Sequence, residues 1–277
     1  METTGETTET QRPADVLRWV QAQVRADLDA LARDVDTLRR DAAFQATLEV
    51  AARFWMYSQC NCSLIARALP TATHVMGQRG WEKLGRKVCA GQQAIQVLAP
   101  TTRRGFPFLL VPVYDISQTE GRPLQLLDLS LRGETVHVVT LERAAAGLGI
   151  ALRPSGRRDV LGESRGGEIR VTEGLGGVER VSVIAHELAH ELLHQRAVKR
   201  LPRAMEEAEA EATAHVVLRA LGLPSTAPGY IAWQGGDGAA ILSSLGRIQR
   251  AARRILHAGG LRLGAGSLHV VRPPRAR

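Results

Sequence analysis

The sequence predicts an α+β chain in two parts, a mixed α/β N-terminal part followed by a mainly helical C-terminal part. Three observations predict it. Dense β-branched and aromatic residues mark a strand at 108–116, apolar residues recur at helical spacing on either side, and Gly121-Arg122-Pro123 with Gly133 punctuate the join. At 277 residues and 44% apolar content the chain is long enough for two modest cores. The expected organisation is a disordered N-terminus at 1–13, a first domain with its linker at 14–133, a second domain at 134–262 and a basic disordered tail at 263–277.

In chain order, helices are expected at 14–32, 35–54 and 60–69, then strands at 73–76, 94–98 and 108–116. Beyond the linker come a helix at 141–148 and short strands near 150–153 and 168–171. A helix follows from Gly176-Gly177 to about Gln195, then one at 203–221, then a basic amphipathic helix at 237–257. The Gly-rich run 162–177 reads equally well as the edge of a cleft or as a plain surface loop.

Several classes are excluded at once. The N-terminus is rich in Thr and Glu, without the basic and apolar regions of a secretory signal, and no run approaches the roughly 18 apolar residues of a membrane span. Cys60, Cys62 and Cys89 are odd in number and form no CxxC pair, so reduced thiols in the cytoplasm are expected, with Cys60 and Cys62 as packing residues.

His186-Glu187-Leu188-Ala189-His190 lies in a stretch where Val181, Ile184, Ala185, Leu188 and Leu192 form one apolar stripe. Residues four apart stack on a helix, so two imidazoles can share a Zn²⁺ ion while Glu187 reaches the metal-bound water as general base. An overlapping copy, His190-Glu191-Leu192-Leu193-His194, turns further from the stripe, which favours the first register. A catalytic zinc needs a third protein ligand, and the following helix offers Glu206, Glu207, Glu209 and Glu211 in its first turns. Ala210, Thr213, Ala214, Val217 and Leu221 form a stripe on this helix, and angle alone favours Glu206 in mid-stripe, with Glu209 at its edge.

The pattern His186-Glu187-x-x-His190 followed by Glu207-x-Glu209-Ala210-x-x-x-Ala214 resembles the ImmA/IrrE family of zinc metallopeptidases. That resemblance implies a zincin-like metallopeptidase domain with zinc on His186, His190 and Glu209, and Glu187 as catalytic base.

The formal charge of +8 is unevenly spread. Residues 50–110 carry eight Lys or Arg against the single acid Glu82, and 247–277 carry eight Arg and no acid. Seven of the eleven aromatic residues fall in or just beyond the first basic stretch. Cations that track phosphates, interleaved with rings that stack on unpaired bases, are what single-stranded nucleic acid binding requires. Phe54, Phe106 and Phe108 read as core. Trp55, Tyr57 and Trp81, with Arg79, Arg86 and Lys87, are the candidate DNA-binding residues.

Tyr57-Ser58, Asn61 and Leu64-Ile65, then the run 77–88 from Gly77 to Val88, then Gly91, Ala94 to Pro100 and Val113 to Thr119 resemble the N-terminal domain of the ArdC antirestriction family. The resemblance spans about 14–120 and implies a single-stranded-DNA-binding domain ahead of a metallopeptidase-like one. The expected function is therefore a zinc metalloendopeptidase coupled to single-stranded DNA, with an unidentified protein substrate and no membrane. Two alternatives stand beside it: a DNA-binding antirestriction protein whose zinc is structural, and a regulator peptidase that cleaves a repressor.

Overall fold

The computed structural model describes residues 13–33, 37–101, 108–124, 134–157, 159–195, 197, 200–225 and 238–261. The expected disordered ends, apart from Pro13, lie outside these residues, as do Phe106, Tyr230 and Trp233.

Helices α1 (Pro13–Arg33) and α2 (Thr37–Arg53) open the chain, close to expectation. Ser58 then caps α3 (Gln59–Ala68), its hydroxyl accepting from the Asn61 N–H at 3.3 Å. The strands and short helix that follow are β1 (Val75–Met76), α4 (Gln78–Lys83), β2 (Arg86–Val88), β3 (Ile95–Pro100), β4 (Phe108–Asp115) and β5 (Thr119–Gly121). An antiparallel sheet of order β1-β4-β3 puts Ile95, Val97 and Val113 on its inner face, against Phe54, Cys62 and Ile65. Asn61 locks α3 to this sheet: its amide donates to the Leu98 carbonyl at 2.9 Å and accepts from the Leu98 N–H at 2.8 Å.

β4 stops at Asp115, one residue before the expected Ile116, because the Asp115 carboxylate is occupied as a cap. It accepts from the N–H groups of Thr73 (2.7 Å), His74 (2.8 Å) and Ser117 (3.0 Å), while Gln118 accepts from the Asp115 N–H at 2.9 Å. This turns the chain into β5, which pairs antiparallel with β2 where the sequence suggests the start of a linker. Gly121 is needed there. Its φ is 129°, and a Cβ would sit 2.5 Å from the Gly85 carbonyl oxygen.

The second half consists of α5 (Glu134–Gly147), β6 (Ala151–Ser155), β7 (Gly162–Ser164), β8 (Glu168–Thr172), α6 (Gly177–Leu193), α7 (Arg203–Ala220) and α8 (Gly238–Ala258). β8 lies between a parallel β6 and an antiparallel β7. α5 begins seven residues earlier than expected; the Thr and Val residues of its first turns are weak helix formers and conceal it in the sequence. α7 is buried nearly continuously from Ala208 to Ala220 and packs against α6, α8 and α2. α1 packs against α8. One core therefore joins Val20, Phe44, Leu48 and Trp55 to Ile184, Leu188, Val217 and Ile255, across the expected domain boundary near 133. The chain is an α+β protein, and among the described residues no helix is long and apolar enough to cross a membrane.

Candidate functional site

The stripe Val181, Ile184, Ala185 and Leu188 on α6 is fully buried, which aims the flanking His186 and His190 at α7. Their Nε2 atoms lie 3.0 Å apart. Glu207 Oε2, from the first turns of α7, lies 3.4 Å from His186 Nε2 and 3.5 Å from His190 Nε2. His186, His190 and Glu207 are the group among the described residues whose ligand atoms converge, all within 4.8 Å. They line a cleft of about 900 Å³, bounded across from α6 by the β7 residues Gly162, Glu163 and Ser164. The Gly-rich run thus contributes a cleft edge.

The charges around the trio set its protonation. Burial alone would lower His186, but the hydrogen bond that its Nδ1–H donates to Glu211 (3.1 Å) and the carboxylates of Glu187, Glu211 and Glu207 outweigh it, so the imidazole is raised. His190 is lowered, by burial and then by its neighbour His186. Glu187 lies against β7, where a Cβ on residue 162 would come within 2.6 Å of Val183 Cγ1 and 2.8 Å of Glu187 Cγ, which favours glycine. Burial pushes the Glu187 carboxyl up to about 7, His186 opposing and Glu207, Glu163 and Glu191 adding repulsion.

Glu191, the acid of the overlapping register, has a structural task. It accepts from Ser164 Oγ (2.9 Å) and from the N–H groups of Gly166 (2.7 Å) and Gly167 (2.6 Å), which pins the β7–β8 turn to α6. Gly166 and Gly167 both have positive φ, which presents their N–H groups to it.

The carboxylate that converges with the two histidines is Glu207, not the expected Glu209. Glu209 is 0% exposed, one oxygen paired with Arg247 of α8 and the other 4.0 Å from His194 Nε2. It faces away from the trio, and Glu207, two residues earlier, takes the position. Glu206, favoured by helical angle, instead pairs with Arg200 at 3.5 Å. α7 is buried on almost every side, so the stripe read from the sequence does not single out the face that meets α6, and the angle taken from it misleads. Arg247 carried no motif that could have singled it out, and Glu211 was named only as one of four acids on its helix.

The expected nucleic-acid residues divide. Trp81 is 0% exposed and donates its Nε1–H to the Tyr114 carbonyl at 2.9 Å; Trp55 is 3% exposed and meets His257 edge-on in the main core. Neither ring offers a face to a base, so the stacking role expected of them is corrected: both are packing residues. Tyr57 is half-buried, its hydroxyl donating to the Val75 carbonyl at 3.1 Å, and burial pushes it up to about 12. Arg86 is spent on the β2–β5 ribbon, donating to Thr119 Oγ1 (2.8 Å), the Thr119 carbonyl (2.7 Å) and the Arg122 carbonyl (2.8 Å). Arg79 and Lys87 are exposed, and Lys83 and Arg122, which the sequence did not single out for this role, are exposed beside them on the same small elements.

No protein-family model and no curated protein matches the chain. Among solved structures it is remotely similar to the antirestriction protein ArdC of plasmid R388. To the metal-free form the identity is 18% and the TM-score 0.42, covering 74% of this chain and 85% of that one. To the Mn(II)-bound form the identity is again 18% and the TM-score 0.49, covering 88% and 98%.

The expectation of a zinc metalloendopeptidase built on His186, His190 and Glu209 is corrected by the geometry of α6 and α7. In this chain the converging donors are His186, His190 and Glu207, and the acid that the ImmA/IrrE resemblance assigns to zinc is sealed against Arg247. The terms hydrolase, metallopeptidase and zinc rested on Glu209 as third ligand, and that support is gone.

Proposed function

We propose that this chain is a single-stranded-DNA-binding protein of the antirestriction class, in which His186, His190 and Glu207 hold a divalent transition-metal ion that braces α6 against α7. The observation that carries the DNA reading is the cationic corner formed by α4 and the β2–β5 ribbon. Arg79, Lys83, Lys87 and Arg122 are all exposed there, with Glu82 and Glu120 as the acids beside them. The same stretch carries the sequence resemblance to the ArdC N-terminal domain. Because the tryptophans are packed away, the cations supply the affinity by releasing counterions from phosphates, and the preference for single strands rests on the ArdC resemblance, not on stacking rings.

The donor set supports a cation on its own chemistry. Two imidazole nitrogens and one carboxylate oxygen suit first-row divalent ions, and two Nε2 atoms 3.0 Å apart are both satisfied by an ion shared between them. Mn²⁺, the ion in the similar R388 structure, is the first to try. Competition between a labelled single-stranded oligonucleotide and unlabelled single strand or duplex of equal length tests the function. Single strand is expected to displace the label at lower concentration; displacement by duplex at lower concentration, or no binding of the label at low salt, overturns it.

A further inference from the structure

β6 is the outer strand of its sheet, paired with β8 on one side and, among the described residues, with no strand on the other. The Ala151 N–H donates to the Gly167 carbonyl at 2.9 Å, so residues 151, 153 and 155 turn their backbone groups toward β8 and residues 152 and 154 turn theirs outward. Pro154 has no N–H to offer there, which shortens the edge without closing it. The Leu152 N–H and the carbonyls of Leu152 and Pro154 stay open to a neighbouring strand. A groove of about 820 Å³ follows this edge, lined by residues 149–154, by Glu142, Ala145 and Ala146 of α5, and by Glu173 just past the end of β8.

The chain itself carries a segment suited to that edge. α8 ends against α5, where a Cβ on Gly147 would lie 3.3 Å from the Ala258 carbonyl oxygen, and Gly147 is four residues ahead of β6. Sixteen residues follow Leu261. Among them Leu268-His269-Val270-Val271 is a strand-forming run, preceded by Gly264 and Gly266 and closed by Pro273-Pro274. Gly147 and the groove residue Ala145 lie on opposite sides of α5, so the tail has to pass round a helix about 10–12 Å across. The seven steps from Leu261 to Leu268 span up to about 23 Å when extended, which is enough. A tail that arrives at the start of β6 runs parallel to it and carries Arg272 to the far end. There Glu173 is exposed and has no ion pair among the described residues, whereas Arg180 is engaged with Glu142 at 3.1 Å.

We propose that residues 268–272 add to the open edge of β6 as a fourth strand, parallel to it. The Leu152 N–H donates to the Leu268 carbonyl, the Val270 N–H donates to the Leu152 carbonyl, and Arg272 pairs with Glu173. The tail thereby covers an edge that would otherwise be a template for pairing with another chain. This rests on neither the DNA-binding reading nor the metal reading above.

Hydrogen exchange at the Leu152 amide of the full chain, read by NMR in wild type, Val270→Pro and Glu173→Arg, tests the strand. Neither substituted residue belongs to the cores described above. The Leu152 amide is expected to exchange at least about tenfold more slowly in wild type than in Val270→Pro, with an intermediate rate in Glu173→Arg. Equal rates in wild type and Val270→Pro overturn the tail as the fourth strand. A Glu173→Arg rate equal to that of wild type overturns the contact with Arg272, and with it the parallel direction. Protection in wild type is expected to persist on dilution. Its loss on dilution assigns the added strand to a second copy and overturns pairing within one chain.

Discussion

Helices α6 and α7 carry two histidine–glutamate clusters made of the same residue types about one turn apart, with opposite fates. His186, His190 and Glu207 open on the cleft, the Glu207 side chain 48% exposed. His194 and Glu209 are sealed, at 3% and 0% exposure, because α8 lies over them and Arg247 supplies the counter-charge. What packs across a helix pair, not its composition, decides whether a carboxylate is a candidate ligand or half of a buried ion pair. A third cluster, His215 and Arg219 of α7 with Glu49 of α2, follows the sealed pattern.

The sealed cluster should give the largest effect on stability. Arg247→Ala leaves Glu209 buried without its partner and is expected to cost about 3 kcal/mol in chemical denaturation, with part of the loss recovered in the Arg247→Ala, Glu209→Ala double variant. A loss below about 0.5 kcal/mol would show that the pair is worth no more than a surface one. The open cluster should instead report on metal. Glu207→Ala is expected to weaken Mn²⁺ binding at least about 100-fold while Glu209→Ala leaves it unchanged, as read by calorimetry. The reverse pattern would restore Glu209 as ligand.

The third cluster makes the comparison pH-dependent. Burial works to raise the Glu49 carboxyl, but hydrogen bonds from His215 and Arg219 and their charges hold it below its ordinary value of 4.5. A carboxyl held low by folding contributes stability that is fully present above the unfolded value and is lost as pH falls through the folded one. Glu49→Gln should therefore cost about 2 kcal/mol at pH 7 and progressively less as pH drops below about 4. A constant difference from pH 7 to pH 3 would refute the ion pair as its cause. The smallest effect is expected at Trp81. Trp81→Phe removes the donor to the Tyr114 carbonyl, costing about 1 kcal/mol with oligonucleotide affinity unchanged.

Much of this architecture is legible in the sequence because it is periodic. The stripe of α6 placed His186 and His190 on one flank, and the dense β-branched run found β4. The rest failed where periodicity fails. β2, β5 and β7 are three residues each, too short to show alternation, and α5 hides behind β-branched first turns. Glu207 was passed over because α7 is buried around most of its circumference and holds Glu209, His215 and Arg219 inside, so polarity does not mark its outward face. Trp55 and Trp81 were misjudged because tryptophans among arginines suggest a binding surface, yet composition cannot tell a ring that faces water from one tucked beneath the cations. Cys62, by contrast, sits in the core as its type suggests, at 1% exposure.

The salt dependence of single-stranded oligonucleotide binding, followed by fluorescence anisotropy on the full chain, tests the central claim most directly. Each phosphate contact contributes a slope of about 0.7 on a log–log plot, so the Arg79→Ala, Lys87→Ala double variant should bind more weakly at low salt with a slope shallower by about 1.4. An unchanged slope and affinity in the double variant would contradict the assignment of DNA binding to the α4 and β2–β5 corner.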